Sequence, residues 1–142
     1  MSFAGLPKPR PVPTPVSKPY WDALDEQRVV IQRCADCSTW VHYPRNRCTS
    51  CLSDRLEWQE VSGNGSVFTF TVTRQPTAVM FADEVPQIIA VIELDEGVHL
   101  TSTLVTSDPE LVRCGAPVIA VFDRGDDGAT LLRYRLDRSA GA

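Results

Sequence analysis

The stretch that decides the fold is Cys34-Ala-Asp-Cys37, followed after ten residues by Cys48-Thr-Ser-Cys51. Each Cys-x-x-Cys pair places two thiolates on one tight turn, and the span between the pairs brings the two turns together. Four sulfurs arranged in this way suit a tetrahedral ion, and Zn²⁺ is the default ion of structural sites. We therefore expect one structural zinc ion bound by all four cysteines. Because four protein ligands leave no open coordination position, this site explains how the region folds and not a reaction.

Iron is the main alternative metal, since four thiolates also form a rubredoxin centre. Rubredoxin-like knuckles commonly have glycine after the second cysteine of each pair, whereas Ser38 and Leu52 stand there in this chain. This departure from the rubredoxin pattern makes an iron site less favoured than a zinc site. A disulfide framework is less favoured, because prolines fill the place of an export signal and paired cysteines in the cytosol more often hold metal. We expect a cytoplasmic protein.

Length, hydrophobic content and charge limit the classes of protein to which this chain can belong. The chain has 142 residues, 43% of them hydrophobic, enough to bury a core. It contains no apolar run of about 18 residues, so we expect no membrane partner. The net charge of -4 lacks the basic footprint of nucleic-acid binding. Arginines nevertheless gather around the cysteines, as a hydrated surface or as a face for a phosphate-bearing ligand: Arg28, Arg33, Arg45, Arg47 and Arg55.

Prolines alternate with other residues from Pro7 to Pro15, which predicts an extended, polyproline-like arm. The arm is either a disordered tail or a segment that lies across a partner subunit. A short helix follows, with Ser17 expected as its cap and an end near Gln27. Three apolar residues share one helical face: Tyr20, Trp21 and Leu24. Because so short a helix is marginal alone, this face must pack on the rest of the chain or on a partner.

The rest of the chain indicates β-structure. A strand over residues 29–33 leads into the first cysteine pair, and further strands are predicted over residues 56–61, 67–74, 87–94, 98–105, 118–122 and 131–136. Alternation puts Phe68, Phe70 and Val72 on one face, which suits a core. The predicted fold is mainly β: a proline-rich arm and short helix (1–28), a rubredoxin-like zinc ribbon (29–55) and a C-terminal five-stranded OB-fold barrel (56–142). Residues 75–86 form a loop that either contacts a partner or covers one end of the barrel.

Catalytic groups are scarce. The chain has no nucleophile elbow, phosphate loop or dinucleotide fingerprint. His42 is interpreted as a surface or hydrogen-bonded residue, His99 as a solvent-facing strand residue and Cys114 as a small buried hydrophobe. We therefore expect no independent catalysis. Two alternatives stay open: a nucleic-acid-binding ribbon and barrel, and an enzyme that acts through Cys114 or His99.

The order of elements resembles one protein family closely. A proline arm, the helix Tyr20-Trp-Asp-Ala-Leu24, two cysteine pairs and a small barrel are similar to the zinc-ribbon and OB-fold proteins of acyl-CoA metabolism, long known as a domain of unknown function. Further resemblance lies in Gly65-Ser-Val-Phe-Thr-Phe-Thr-Val72, Val91-Ile-Glu-Leu-Asp-Glu-Gly-Val98 and Gly115-Ala-Pro-Val118. The resemblance runs from about Tyr20 nearly to the C-terminus.

The resemblance implies an accessory role. Members usually accompany a thiolase-like enzyme, in thiolase and HMG-CoA synthase assemblies or with the aldolases and hydratases of bacterial steroid side-chain degradation. This chain is thus expected to be non-catalytic, to stabilise such an enzyme and to help form its acyl-CoA channel. The helix residues Tyr20, Trp21 and Leu24 are the expected partner interface. The expected contacts to the CoA phosphates are Arg28, Arg33, Arg45 and Arg47.

Overall fold

The computed structural model describes residues 8–76, 78–106, 108–125 and 128–137. It contains one α-helix, α1 (Lys18–Asp25), and eight strands among these residues: β1 (Val29–Cys34), β2 (Trp40–Val41), β3 (Leu56–Val61), β4 (Gly65–Thr73), β5 (Gln87–Leu94), β6 (His99–Leu104), β7 (Pro117–Arg124) and β8 (Thr130–Leu136). Two short 3₁₀ helices, η1 (Val79–Glu84) and η2 (Pro109–Leu111), lie between strands. The mainly β fold predicted from the sequence is confirmed.

Five strands close into a barrel in the order β4-β5-β6-β8-β7. All pairs are antiparallel except β6 with β8. Numbered from the first barrel strand, the order is 1-2-3-5-4, with η2 between the third and fourth strands. A five-stranded Greek-key barrel of this kind is an OB-fold. The cap of η2 is Asp108, whose side chain accepts a hydrogen bond from the Glu110 amide.

The remaining three strands form a separate sheet in the order β2-β1-β3. Strand β3 pairs with β1 along its whole length, from Val29 opposite Val61 to Cys34 opposite Leu56. A division between residues 55 and 56 assigns β3 to the barrel, but its hydrogen bonds place it in the ribbon sheet. A ribbon strand and a barrel strand differ here only in the strand with which they pair. The sequence of a strand does not specify that partner.

Helix α1 belongs to the core of this chain. Tyr20 is 6% exposed and Leu24 is 0% exposed, and both pack with residues of the ribbon sheet and the barrel. They are therefore not available as a partner interface, which corrects that expectation; only Trp21 of the three is partly exposed. Since an 8-residue helix is marginal alone, this burial stabilises it.

The ends of α1 differ from the prediction. Ser17 makes no side-chain cap, because its hydroxyl accepts a hydrogen bond from the Thr14 amide at 2.9 Å. The helix ends at Asp25, before Gln27, whose φ of 60° lies in the left-handed region. The Gln27 and Arg28 amides then donate to the carbonyls of Leu24 and Ala23. This is a helix stop built without glycine.

A β-bulge changes which side chains of β4 point away from the core. Val67 opposes Ile92 and Thr69 opposes Val91, so one extra residue, Phe68, is accommodated between them. Val67 is buried, whereas Phe68 is 54% exposed. The expectation that Phe68 shares a core face with Phe70 and Val72 is wrong, because the bulge shifts the alternation by one residue.

The proline-rich arm contacts its own chain. The Lys8 ammonium lies 2.8 Å from the Glu84 carboxylate and above the ring of Phe81. The arm therefore lies beside η1, which is part of the loop that precedes β5. Loop residues Phe81 and Glu84 are only partly exposed. No helix among the described residues is long and apolar enough to cross a membrane.

Candidate metal centre

Four cysteine sulfurs meet at the end of the ribbon sheet. The Sγ atoms of Cys34, Cys37, Cys48 and Cys51 lie within 4.8 Å of one another. Two of the separations are 3.6 Å, between Cys34 and Cys51, and 3.5 Å, between Cys37 and Cys48. A tetrahedral ion with Zn–S bonds of about 2.3 Å separates its sulfurs by about 3.8 Å. The donor set and spacing fit one zinc ion, as predicted.

The two cysteine turns repeat the same backbone pattern. The amides of Ser38 and Leu52 donate to the carbonyls of Cys34 and Cys48, respectively. Ser38 and Leu52 have φ values of 66° and 65°, in the left-handed region where glycine is usual. The turns thus keep the knuckle conformation without glycine. Strain of this kind persists only where surrounding contacts over-determine the backbone.

An arginine braces each knuckle. Arg33, which precedes Cys34, donates from Nε to the Ser38 carbonyl at 3.1 Å. Arg47, which precedes Cys48, donates from a terminal nitrogen to the Leu52 carbonyl at 3.2 Å. Both bonds end on the residue with positive φ. Sequence reasoning missed this role, although the repeated pattern Arg-Cys-x-x-Cys is visible in the chain.

Local polar groups contact two of the four sulfurs, those of Cys37 and Cys48. The amides of Ser50 and Cys51 point at the Cys48 sulfur at 3.3 and 3.5 Å. Hydrogen bonding with the side chain and backbone of Thr39 lowers the pKa of Cys37 to about 6. A thiolate is the form that binds metal, so these contacts favour binding. Cys34 and Cys48 are buried with Val41 in a small second core, while Cys37 and Cys51 are exposed.

The four arginines expected at the CoA phosphates do not form one cluster. Arg28 immediately precedes β1, whereas Arg33 lies near the other end of that strand. Arg28 pairs with the carboxylates of Glu26 and Glu60. Arg33 also stacks on Trp40, with the guanidinium 4.7 Å from the ring centre. The structure thus gives three of the four a local partner. Arg45 alone of the four has no side-chain partner among the described residues.

The backbone of Arg45 is fixed by a buried glutamine. Gln32 is 5% exposed; its side chain donates to the Arg45 carbonyl and accepts from the Arg45 amide, at 3.0 and 2.7 Å. The amide side chain therefore pairs with this loop as a neighbouring strand would. This contact positions the span between the cysteine pairs.

The histidines have different surroundings. His42 lies between Tyr20 of α1 and Tyr43, with ring centres 5.6 and 4.3 Å away. Burial lowers the pKa of His42 to about 4, so the ring is neutral at pH 7. His99 is exposed, as predicted, and stacks on Phe68 at 4.5 Å with its Nε2 3.7 Å from Glu93. His42 thus joins α1 to the ribbon instead of lying on the surface.

Cys114 is exposed, not buried as expected, because it lies in the turn after η2. The hydrogen bonds of this turn are backbone contacts of Gly115 and Ala116.

Trp21 of α1 lines a cavity of about 360 Å³ together with Asp22 and Asp25. The other walls are residues 10–13 of the arm, residues 128–129 of the turn before β8 and the first residue of β8, Thr130. This cavity shows that the arm also lies beside α1.

Two family descriptions match the chain over adjoining segments. Residues 21–57 match the rubredoxin-like zinc ribbon domain of ChsH2, and residues 58–123 match the ChsH2 C-terminal OB-fold domain. A DUF35 domain-containing scaffold protein of Methanocaldococcus jannaschii is 37% identical over 81% of this chain and 85% of its own length. A probable enoyl-CoA hydratase alpha subunit of Thermomonospora curvata is 34% identical over 90% of this chain. The chain spans only 40% of that longer relative.

A solved structure described as the Ltp2-ChsH2(DUF35) aldolase matches with a TM-score of 0.79 and 33% identity. The match covers 89% of this chain and 98% of the solved one. The overall fold of this chain is therefore shared with that solved relative. This chain belongs to the DUF35 family, as a zinc ribbon followed by an OB-fold of the ChsH2 type.

Proposed function

We propose that the chain is a non-catalytic accessory subunit of an acyl-CoA enzyme, stabilising a thiolase-like or aldolase subunit. One observation carries the proposal: the fold matches nearly all of a chain solved as part of the Ltp2-ChsH2(DUF35) aldolase. The hydratase-subunit name of the Thermomonospora curvata relative supports the same class of acyl-CoA complex. Steroid side-chain degradation is the setting that we propose for it.

The chemistry of the site supports a structural role for the metal. Four cysteines complete a tetrahedral zinc ion, so no position remains for water or substrate. His42 is partly buried and its ring contacts those of Tyr20 and Tyr43, and Cys114 is exposed, with no hydrogen bond to a base among the described residues. A cysteine nucleophile needs such a base. The zinc therefore fixes the shape of the subunit.

We further propose that acyl-CoA binds where this subunit meets the enzyme, in the channel that they form together. Arg45 is the member of the arginine set best suited to a phosphate contact. Its backbone is held by Gln32, whereas its guanidinium is exposed and has no partner among the described residues. The remaining three arginines already serve local contacts.

Co-expression tests the proposal. The tagged chain is produced with the thiolase-like or aldolase subunit of its own source, and the solubility and turnover of that subunit are measured with and without it. We expect a soluble, active complex, with turnover per complex unchanged by Cys114→Ala and by His99→Ala. An enzyme subunit that is equally soluble and active alone contradicts the proposal. Loss of turnover in an intact Cys114→Ala complex would instead assign catalysis to this chain.

One observation favours a second function, binding of single-stranded nucleic acid. Phe68 is an exposed aromatic on an OB barrel, and such rings can stack bases. However, the neighbouring charged group is the Glu93 carboxylate and not a basic groove. Fluorescence anisotropy with single-stranded DNA and RNA at low salt separates the functions, and salt-sensitive binding would support this alternative.

A further inference from the structure

We infer that the proline-rich arm is a strap that ties together the two barrel loops with which OB-folds usually bind ligands. We call them the first loop, which joins β4 to β5 and contains η1, and the last loop, which joins β7 to β8. In other OB-folds the corresponding loops contact oligonucleotides and oligosaccharides. In this chain, residues 8–13 of the same polypeptide lie against both loops.

Lys8 fastens the arm to the first loop. Its ammonium donates a hydrogen bond to the Glu84 carboxylate at 2.8 Å and lies 5.8 Å from the ring centre of Phe81. Both contacted residues belong to η1. A hydrogen bond between two charged groups is roughly twice as strong as one between neutral groups. This bond therefore joins the arm to η1 at one defined point.

The arm reaches the last loop through the cavity beside α1. Residues 10–13 of the arm and residues 128–129 of the last loop both line this cavity. Four residues separate Lys8 from Val12, which corresponds to about 12 Å in an extended polyproline conformation. A short piece of chain therefore passes from the first loop to the last loop.

The other end of the arm is fixed at the start of α1. The Thr14 amide donates to the Ser17 hydroxyl at 2.9 Å, and the Lys18 amide donates to the Thr14 carbonyl at 2.8 Å. Prolines at positions 9, 11 and 13 fix φ and stiffen the segment between these contacts and Lys8. Because a stiff segment loses little conformational entropy on docking, one ion pair is enough to hold its outer end.

Glu84 makes the position of η1 depend on the arm. Its side chain is 23% exposed, and its Oε2 atom is buried without a hydrogen-bond partner. Among the described residues, Lys8 donates the only hydrogen bond that this carboxylate accepts. Arg133 of β8 lies 3.8 Å from Oε1, too far for a hydrogen bond, and also pairs with Asp123 at 2.9 Å. Without Lys8, the carboxylate must turn toward water, which loosens η1.

Hydrogen–deuterium exchange of the chain alone tests this coupling. Lys8→Met removes the ammonium and keeps a long side chain, and thermal unfolding confirms that the variant is folded. We expect the amides of η1, such as that of Phe81, which donates to the Ala78 carbonyl, to exchange at least about threefold faster. Lys18→Met is the matched control, because it removes an exposed ion pair with Asp22 on α1 and should leave η1 unchanged.

The reciprocal variant tests whether the loop holds the arm. Glu84→Met removes the acceptor of the Lys8 bond, so the arm should become mobile on the picosecond-to-nanosecond timescale. The measurement is the heteronuclear ¹⁵N NOE of the amides at positions 8, 10 and 12, which should decrease. Glu60→Met, which removes an exposed ion pair with Arg28, is the control and should leave these values at the wild-type level.

The strap requires both effects. Unchanged exchange of η1 in folded Lys8→Met overturns it, and so does an unchanged NOE of the arm in folded Glu84→Met. An equal acceleration of η1 exchange in Lys18→Met would mean a general loss of stability and would also overturn the strap. All of these measurements use the chain without a partner, so their outcome is independent of the proposed accessory function.

Discussion

Arg33 and Arg47 illustrate how single residues hold the metal centre. Each precedes a cysteine pair, and each donates a hydrogen bond to the carbonyl of a residue with positive φ. The left-handed conformation of Ser38 and Leu52 costs on the order of 1 kcal/mol for a residue with a side chain. A hydrogen bond from a guanidinium offsets a cost of this size. The arginines therefore substitute for the glycines that such knuckles commonly use.

We predict that Arg33→Met and Arg47→Met each accelerate zinc loss. Removing one bond of about 1 kcal/mol should speed release to a chromogenic chelator about fivefold. Arg45→Met is the matched control, because the Arg45 side chain braces no knuckle, and its release rate should equal that of wild type. Equal rates for all three variants would show that the knuckles hold their conformation without these arginines.

His42 predicts a specific pH dependence of stability. Burial lowers its pKa to about 4, whereas the unfolded value is near 6.5. The folded state thus binds fewer protons, so stability is full above pH 6.5 and falls as the pH decreases toward 4. We expect a loss of about 2 kcal/mol between pH 7 and pH 5 from this residue.

Urea unfolding at each pH tests this assignment. His42→Phe keeps an aromatic ring between Tyr20 and Tyr43 but cannot titrate, so it should lose markedly less stability on acidification. Zinc content followed in the same samples separates this effect from acid release of the metal. A variant that loses as much stability as wild type would exclude His42 as the source.

At the scale of elements, helix α1 shows how burial decides a role. The sequence predicts its apolar stripe, but that pattern does not say what covers it. In the structure, Leu24 is fully buried within this chain, and Asp25 accepts a hydrogen bond from Thr130 of β8 at 2.7 Å. The helix thus links the ribbon to the barrel.

We predict that Leu24→Ala lowers the free energy of unfolding by about 3 kcal/mol, since it leaves a cavity at a fully buried site. Asp22→Ala is the control on the same helix; it removes an exposed ion pair with Lys18 and should cost less than about 0.5 kcal/mol. Denaturant titration measures both. A small effect of Leu24→Ala would mean that the helix is not part of the folded core.

Strand β4 shows the limit of alternation as a signal. Its composition predicts the strand correctly, within two residues at its start. The bulge at Phe68 arises from pairing with β5, where Thr69 must oppose Val91. Because an extra residue is defined only relative to a partner strand, alternation within β4 assigns Phe68 to the wrong face.

At the scale of the molecule, ribbon and barrel share one core. Tyr134 of β8 is fully buried, and its hydroxyl donates to the Gly63 carbonyl in the connection between β3 and β4 at 2.6 Å. Val29 and Ile31 of β1 lie in the same cluster as the barrel residues. The four-cysteine end has its own small core around Cys34, Val41 and Cys48. Zinc therefore stabilises one end of a sheet whose other end packs on the barrel.

We predict that metal removal by a strong chelator opens the cysteine end and leaves the barrel folded. Amide hydrogen exchange should increase over residues 34–56 and remain slow in β5. Cys48→Ser should give the same pattern, because three thiolates bind zinc more weakly. Equal loss of protection in β5 would instead show that the metal stabilises the whole fold, and unchanged exchange over residues 34–56 would show that the ribbon folds without it.

The sequence predicts the metal ligands, seven of the eight strands and the OB-fold class. These depend on short-range patterns: cysteine spacing, alternation of apolar residues and turn composition. Tertiary structure decided which apolar surfaces remain exposed. It buried Tyr20 and Leu24, turned Phe68 outward, gave Arg28, Arg33 and Arg47 local partners and placed β3 in the ribbon sheet. Each of these depends on contacts between residues distant in the chain, and a local pattern does not specify its partner.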